Sequence, residues 1–232
     1  MYILEGNIGV GKTTFLKLLK KHCPEVEILT EPVASWSQQK HGQSLLEDFY
    51  KNTSRWAYTL ETFTMVCRVQ DHIREQSDEN PNRILERSIY SGHYCFARNC
   101  FESGHLSPTE WGIYNKLADL LIHMQCRPPL GFIYLKADPE VCFRRVQKRN
   151  RASEKALTIE YMADIDKKHD ILLVHKKAIT KTLQSVPVLV LDCNLDFVEN
   201  ISKMKEHAKQ VEAFISGQIR EITPNKEKQA NL

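Results

Sequence analysis

A glycine-rich segment close to the start of the chain contains the residue types that bind phosphate. Residues 6–13 read GNIGVGKT and fit the pattern G-x-x-x-x-G-K-[ST] without a gap. In such a loop the backbone N–H groups surround a phosphate, the lysine reaches the outer phosphates, and the last hydroxyl is placed to bind Mg²⁺. The pattern predicts a phosphate site formed by Gly6, Asn7, Ile8, Gly9, Val10, Gly11, Lys12, Thr13 and Thr14.

Charged side chains follow two other apolar segments, at points where strands of a sheet are predicted to end. Glu31 follows the segment at 26–29, and Glu86 with Arg87 follows the segment at 83–85. Open parallel sheets bind ligands at the carboxyl ends of their strands, so we expect these side chains to meet there. A carboxylate can accept the proton of a hydroxyl group, and phosphoryl transfer needs an acidic group near Mg²⁺ and a cation near the reacting phosphoryl group. An ordinary loop carboxylate and a surface Glu–Arg ion pair are the structural alternatives.

Three arginines form a third candidate group. Arg145, Arg149 and Arg151 lie along one face of a predicted helix and just past its end. Arginines on a mobile flap suit phosphoryl transfer, because they spread positive charge over oxygens that gain negative charge in the transition state. A solvated basic helix face is the alternative. Together with the phosphate loop and the acidic residues, the three arginines are interpreted as a lid.

The elements that would position these residues follow an α/β pattern. Five short apolar segments, at 2–4, 26–29, 83–85, 131–135 and 186–191, alternate with long helical stretches. This alternation predicts a five-stranded parallel sheet covered by helices on both faces. Helices are expected at 13–21, at 45–76 as two helices, from the Ser107–Pro108 start to about 124, from 139 into the basic segment, at 158–183 and at 196–215.

Composition narrows the class of protein. The chain has 232 residues, is 42% hydrophobic and carries a net charge of +3, too little to suggest nucleic acid or membrane as a partner. We expect a single domain over 1–220 and a polar, disordered tail over 221–232. The seven cysteines are scattered without a C-x-x-C pair, and the first strand is predicted to begin at residue 2, so we expect no signal peptide and a cytoplasmic location.

Six segments in fixed order make the chain similar to a known family. They read EGNIGVGKTT, EPVASW, RWAYTLETF, ERSIYS, RNRASE and LDCNLDF. The chain resembles the cellular-type deoxynucleoside kinases, the group of deoxycytidine, deoxyguanosine and mitochondrial thymidine kinases, from residue 1 to about 215. The resemblance implies a P-loop kinase fold with an arginine-rich lid. It also implies Mg²⁺-dependent transfer of the γ-phosphoryl group of ATP or another NTP to the 5′-hydroxyl of a 2′-deoxynucleoside, a step of nucleotide salvage for DNA precursor synthesis.

The same resemblance implies a role for each matching residue. Lys12 and its loop hold the donor phosphates, Thr13 and Glu86 hold Mg²⁺, Glu31 takes the proton of the 5′-hydroxyl, and Arg87 steadies the base and the reacting oxygen. The arginine lid consists of Arg145, Arg149 and Arg151, and the sugar 3′-hydroxyl is bound by Tyr50 and Glu154. The apolar walls around the nucleobase are Trp36, Leu60 and Phe96. The loop at the donor's base contains Asp196 and Phe197. The family also forms homodimers through long helices. Leu117, Leu120 and Leu121 either line that interface or face the protein's own sheet.

Two departures from the family pattern leave the preferred base open. Glu61 stands where the family has a base-reading Gln, and Gly92 stands where purine and cytidine kinases have an Asp that partners the retained Arg68. An ionised Glu accepts only, which matches the two adjacent donors of guanine and slightly favours deoxyguanosine. Alternatively, Glu61 partners Arg68 and Gly92 widens the pocket for pyrimidines. His93 stands where an Arg is usual, and packing within the protein is favoured for it over contact with the substrate.

Two other functions compete with the deoxynucleoside kinase interpretation. A nucleoside monophosphate (thymidylate-like) kinase would need extra cations for the phosphate of its acceptor, whereas the acceptor side here has Tyr50, Glu61 and Glu154. A non-catalytic nucleotide-binding subunit of the same fold is the second alternative. The complete set of Lys12, Glu31, Glu86 and Arg87 favours an enzyme.

Overall fold

A parallel sheet runs through the computed structural model of this chain, which describes residues 1–30, 44–151 and 154–218. Its strands are β1 (Tyr2–Gly6), β2 (Glu27–Leu29), β3 (Arg83–Glu86), β4 (Gly131–Lys136) and β5 (Val188–Asp192). The strand order is β2-β3-β1-β4-β5 and all four pairings are parallel. The predicted fold class is thereby confirmed.

Nine helical elements are described around this sheet. They are α1 (Lys12–His22), α2 (Leu45–Lys51), α3 (Thr53–Gln76), α4 (89–102, with π-helical geometry over Gly92–Ala97), α5 (108–123, π-helical over Asp119–His123), α6 (Pro139–Arg149), α7 (159–174, π-helical over Asp170–Val174), α8 (Lys181–Gln184) and α9 (Ile201–Ile215). The predicted division of 45–76 into two helices is confirmed, and α3 begins slightly earlier than expected because the Asn52 side chain accepts a hydrogen bond from the Arg55 backbone N–H.

Apolar side chains fill both faces of the sheet. Alternate residues of a strand point to opposite faces, so Leu4 and Ile133 join one core cluster with Phe15 of α1, while Ile3 and Phe132 join another on the opposite side. Burial on both faces explains why the strands read as continuous apolar segments rather than as alternating ones.

Two predicted helices differ from the structure. The helix predicted over 158–183 is interrupted after Val174, because Lys176 and Ala178 adopt left-handed backbone angles with φ of 50° and 55°. The last helix begins at Ile201 rather than at 196. Phe197 is buried against the phosphate loop, and the backbone over 197–199 forms turns instead of helix.

Within the described ranges, no helix combines the length and apolar character needed to cross a membrane. All seven cysteines are described and none forms a disulfide. The predicted tail over 221–232 lies outside the described residues.

Candidate active site

The phosphate loop joins β1 to α1 and lies at the carboxyl edge of the sheet. Gly9 and Gly11 adopt left-handed backbone angles, with φ of 80° and 103°. A Cβ atom at Gly9 would lie 2.4 Å from the carbonyl oxygen of Cys142, so that position accepts only glycine. Since α1 begins at Lys12, its N-terminal backbone N–H groups face the cleft that an anion would occupy.

Polar side chains hold this loop in shape. The Lys12 ammonium donates to the carbonyl oxygens of Gly6 and Asn7, each at 2.9 Å, and the Lys12 residue is buried. The Asn7 amide donates to the carbonyl of Met162 on α7 at 2.9 Å, while its own oxygen accepts from the Ile8 backbone N–H at 2.8 Å. The loop is therefore fixed both internally and against α7.

The end of β3 brings two charged residues beside the loop. Glu86 accepts a hydrogen bond from the Thr13 hydroxyl at 2.7 Å, which places two side-chain oxygen atoms next to each other. Arg87 has a left-handed backbone with φ of 64°, donates to the Gly6 carbonyl at 3.3 Å, and lies with its guanidinium carbon 4.7 Å from the centre of the Phe96 ring.

A cleft of about 330 Å³ lies in front of the loop. It is lined by Gly9, Gly11, Lys12, Thr13, Thr14, Glu86, Arg87, Arg149 and Arg151. Every one of these residues belongs to the set that the sequence predicts for the donor phosphates, the metal and the reacting group. Backbone N–H groups, one lysine and three arginines in one cleft suit a polyphosphate chain.

A second, more apolar pocket of about 130 Å³ adjoins the cleft. The predicted substrate residues that line it are Tyr50, Leu60, Glu61, Arg68, Arg87, Phe96 and Glu154, joined by Arg151 of the predicted lid. Because Arg87 and Arg151 line both spaces, the pocket and the cleft meet at these two side chains.

Sequence reasoning missed four further residues of the pocket, which are Leu46, Phe49, Thr64 and Tyr161, while Ile8, predicted for the phosphate loop, also lines it. On α2, Leu46 lies four residues before Tyr50 and Phe49 lies one residue before it. On α3, Thr64 lies three residues after Glu61. Helical spacing alone could therefore have suggested Leu46 and Thr64. Tyr161 comes from α7, distant in sequence, and no pattern in the chain marks it.

Glu61 is the most perturbed carboxyl group of the pocket. It is only 4% exposed, and the Cys100 thiol donates to its Oε1 at 3.9 Å. Burial raises the pKa of Glu61 to about 7, against the opposing effect of Arg68, the Cys100 hydrogen bond and Arg87. Near neutral pH this carboxyl group is therefore present in both protonation states.

Gly92 and the neighbouring His93 do not line the pocket. A Cβ at Gly92 would lie 2.8 Å from a terminal nitrogen of Arg68, so the absent side chain leaves room for that guanidinium. The His93 ring is buried and stacks on Trp111 and Tyr114, at centroid distances of 6.0 and 5.8 Å. Burial lowers the pKa of His93 to about 4, which makes this residue a neutral part of an aromatic cluster.

The three predicted lid arginines have different surroundings. Arg149 makes two hydrogen bonds to the Glu154 carboxylate, at 2.7 and 2.6 Å, and Arg151 lies 3.6 Å from the same carboxylate. Arg145 instead donates to the backbone carbonyls of Val10 and Cys193, at 3.3 and 3.0 Å, and does not line the cleft.

The segment predicted to contact the donor's base splits into an exposed and a buried residue. Asp196 is exposed and accepts from the Val198 backbone N–H at 2.8 Å. Phe197 is buried beneath the phosphate loop, where its ring packs edge-on against Phe15 at a centroid distance of 5.7 Å. The predicted base Glu31 and the predicted wall residue Trp36 lie outside the described residues.

Comparisons with known proteins agree with this arrangement. The sequence model of the family described as "Deoxynucleoside kinase" matches residues 2–216, a range that includes both spaces. The chain is 36% identical to deoxycytidine kinase 2 of Gallus gallus, over 92% of this chain and 89% of the relative. It is 34% identical to deoxycytidine kinase of Homo sapiens, over 89% of this chain and 88% of the relative. It is also 34% identical to mitochondrial deoxyguanosine kinase of Xenopus laevis, over 92% of this chain and 89% of the relative.

Proposed function

Because this chain belongs to the deoxynucleoside kinase family, and is therefore an enzyme that phosphorylates deoxynucleosides, we propose a role for each of its two adjoining spaces. The cleft in front of the phosphate loop binds the phosphates of ATP or another NTP, and the smaller pocket binds the deoxynucleoside. One observation carries this assignment: the two spaces meet at Arg87 and Arg151. A phosphoryl group that passes from one to the other would cross between these cations, where its developing negative charge is stabilised.

The donor side uses residues of β1, α1 and β3. Backbone N–H groups of the loop and Lys12 hold the phosphate oxygens, as the buried position of the ammonium supports. The oxygens of Thr13 and Glu86, 2.7 Å apart, are hard ligands that fit Mg²⁺, which takes few protein ligands and completes its shell with phosphate oxygens and water. When bound, Mg²⁺ supplies positive charge to the donor phosphates.

The acceptor side combines sugar contacts with apolar walls. Tyr50 and Glu154 bind the sugar 3′-hydroxyl, and burial raises the pKa of Tyr50, so its phenol stays protonated and can donate. Leu60 and Phe96, with Trp36 from outside the described residues, enclose the base. Glu31, also outside the described residues, accepts the proton of the 5′-hydroxyl as that oxygen bonds to the γ-phosphorus. The bond between the γ-phosphorus and the β–γ bridging oxygen breaks in the same step, and the nucleoside diphosphate leaves.

The preferred base follows from the protonation state of Glu61. The ionised carboxylate accepts only and suits the adjacent N1–H and N2 amino donors of guanine, while Arg68 donates to O6 and N7. The protonated acid offers one donor and one acceptor, as an amide would, and suits cytosine as well. We therefore propose that the ionised enzyme prefers deoxyguanosine. The relatives include both deoxycytidine and deoxyguanosine kinases and do not decide the question.

A substrate panel tests this function. Purified protein, Mg²⁺ and γ-labelled ATP are incubated with each of the four deoxynucleosides, with their ribose forms and with the deoxynucleoside 5′-monophosphates. We expect transfer to deoxynucleosides and weak transfer to ribonucleosides, because a 2′-hydroxyl beside Tyr50 would leave its hydrogen bonds partly unmade. Equal use of ribonucleosides would refute the assignment of Tyr50 and Glu154. Transfer to nucleoside monophosphates alone would show that the acceptor is a nucleoside monophosphate and not a deoxynucleoside.

The exposed face of α3 and α5 supports a further proposal, a homodimer. Phe63, Ile113, Leu120 and Met124 are 41%, 47%, 50% and 76% exposed, while Leu117 and Leu121 pack against the protein's own core. The interface would therefore include Leu120 but neither Leu117 nor Leu121. Sedimentation at micromolar concentration tests it, and a species of 26.9 kDa would show a monomer.

A further inference from the structure

The buried groups behind the catalytic edge of the sheet carry one more inference. Glu5 lies in β1 directly before the phosphate loop and is fully buried, and so is His169 of α7. Oε2 of Glu5 and Nε2 of His169 are 3.9 Å apart, and neither atom has a hydrogen-bond partner among the described residues. Neither residue lines the cleft or the pocket, so the proposed mechanism leaves both unexplained.

The hydrogen bond at the other ring nitrogen fixes the tautomer of His169. Nδ1 lies 2.8 Å from the carbonyl oxygen of Ile165, and a carbonyl oxygen only accepts, so Nδ1 carries a hydrogen. A neutral ring then presents a lone pair at Nε2. An ionised Glu5 would face that lone pair with another, inside a dry interior where such an arrangement is costly.

We propose that Glu5 is held as a neutral carboxylic acid whose proton faces Nε2 of a neutral His169, and that this pair positions Arg87 without neutralising its charge. The surroundings favour the uncharged state of both groups. The His169 ring stacks on Tyr134 with centroids 6.1 Å apart and meets the edge of Phe96 at 6.0 Å. Burial raises the pKa of Glu5 and lowers that of His169 to about 3, so the proton belongs to the carboxyl group.

Positive charge near the pair also bears on this assignment. Arg87 and Lys12 act on both groups, whereas hydroxyl groups of Ser88 and Ser91 and the Cys95 thiol face Glu5. The two cations favour a carboxylate and disfavour an imidazolium. They therefore oppose the effect of burial on the pKa of Glu5 and reinforce its effect on the pKa of His169. Complete burial of Glu5 is the larger influence on its carboxyl group.

The pair acts on the site through Ser88. The Ser88 hydroxyl donates to Oε1 of Glu5 and accepts from the backbone N–H groups of Tyr90 and Ser91, at 3.0 and 3.2 Å, which starts α4. Arg87, the preceding residue, donates its backbone N–H to Leu4 at 2.9 Å and its side chain to Gly6. Three consecutive residues of β1 thus hold the left-handed turn that aims Arg87, and Glu5 is a positioning residue.

Neutrality matters because Arg87 is proposed to serve the substrate. A carboxylate at Glu5 would draw the guanidinium back and cancel charge that the transferred phosphoryl group needs. An uncharged acid supplies the same acceptor to Ser88 and leaves the charge of Arg87 to the pocket and the cleft.

Glu5→Gln and Glu5→Leu separate this proposal from an ordinary buried ion pair. The amide of Gln accepts from Ser88 and donates to His169 as the neutral acid does. The kcat of Glu5→Gln should therefore stay within about threefold of wild type, and its Tm within a few degrees. Leu removes the Ser88 acceptor, so kcat should fall more than about tenfold, with little change in deoxynucleoside affinity. If Glu5→Gln lost as much activity as Glu5→Leu, Glu5 would be an ionised partner of Arg87 and the proposal would be wrong.

Two further measurements do not depend on activity. In ¹⁵N NMR of histidine-labelled wild type, His169 should keep Nδ1–H and an unprotonated Nε2 between about pH 6 and pH 9, and an imidazolium signal would overturn the proposal. Glu75→Gln is the matched control, since Glu75 is a buried carboxyl group paired with Arg83, and it should lower Tm where Glu5→Gln does not. The activity arm rests on the proposed role of Arg87, whereas the NMR arm stands even if that role fails.

Discussion

Two arginines mark the opposite ends of strand β3, and their surroundings differ. Arg83, at the amino end, is buried and ion-paired with Glu75, with Glu27 at 3.0 Å and with Asp78 at 3.4 Å. Arg87, just past the carboxyl end, is equally buried, donates to a backbone carbonyl, lies over an aromatic ring and borders two open spaces. Within the described residues, one edge of the sheet surrounds its arginine with carboxylates, and we propose that the other presents its arginine to a ligand.

The contrast agrees with how parallel sheets work. At the amino edge, the carboxylates of Glu75 from α3 and Glu27 from β2 reach Arg83 within the protein, so no ligand is needed to compensate the charge. At the carboxyl edge, helix N-termini and loops converge, and charged side chains there can act on a substrate. The predictions below test this division, beginning with the largest expected effect.

Arg83→Leu should destabilise the protein by about 3–5 kcal/mol, because it leaves the Glu75 carboxylate, 7% exposed, without its partner. Urea denaturation measures this loss. The activity of the folded fraction should stay close to wild type. Asp78→Asn removes an exposed partner of the same arginine and should cost less than about 1 kcal/mol. Equal losses for the two variants would contradict the view that burial makes this network important.

Arg87→Gln should show the reverse pattern. Loss of the guanidinium should lower kcat by roughly 10²–10³, the usual cost of removing one donor to a transition state, with a smaller loss of stability than Arg83→Leu. Steady-state kinetics and thermal melts of one preparation measure both effects. Arg98→Gln, which removes an arginine paired with Glu102 at the surface, is the control. A stability loss at Arg87 matching that at Arg83 would remove the distinction between the two edges.

Arg149→Ala should have an intermediate effect. A charge-assisted hydrogen bond to phosphate contributes about 1.5–3 kcal/mol, so turnover should fall roughly 10- to 150-fold, while affinity for the deoxynucleoside alone changes less. Arg144, exposed on the same helix, provides the control in Arg144→Ala. Equal losses of turnover and of deoxynucleoside affinity would indicate that Arg149 serves mainly to hold Glu154.

The smallest effect concerns pH and Glu61. Its folded-state pKa of about 7 is raised from the ordinary value, so the ionised fraction grows as the pH rises through 7. The ratio of kcat/KM for deoxyguanosine over deoxycytidine should therefore rise by about fivefold or more between pH 6 and pH 8.5. In Glu61→Gln the ratio should be lower and independent of pH. A falling ratio in the wild type would reverse the base assignment.

Much of the carboxyl edge could be predicted from the sequence because its motifs are local. A phosphate loop is defined by consecutive residues, and Glu86 and Arg87 follow their strand directly. The left-handed backbone of Arg87 had no such signal, since non-glycine residues adopt it only when surrounding contacts hold them there. The pKa of Glu61 was equally hidden, because burial between α3 and α4 is a property of the packed protein.

The errors in the helices have the same origin. Residues 175–180 contain no glycine or proline, so nothing local announced the break after Val174. The late start of α9 depends on Phe197, whose place beneath the phosphate loop is a contact between opposite ends of the sequence. Sequence patterns describe neighbours along the chain, and these features arise between distant residues.

The contact between the Phe197 ring and the phosphate loop also determines when the packing of that loop can be completed during synthesis. A Cβ on Gly11 would lie 2.9 Å from this ring, so the phosphate loop and Phe197 are in close contact. On the ribosome, the loop emerges first and its support emerges more than 180 residues later. Since synthesis proceeds at about 5–20 residues per second, the nascent loop lacks this support for roughly ten seconds or longer. A chain released before Phe197 would carry an intact nucleotide motif without the ring beneath it.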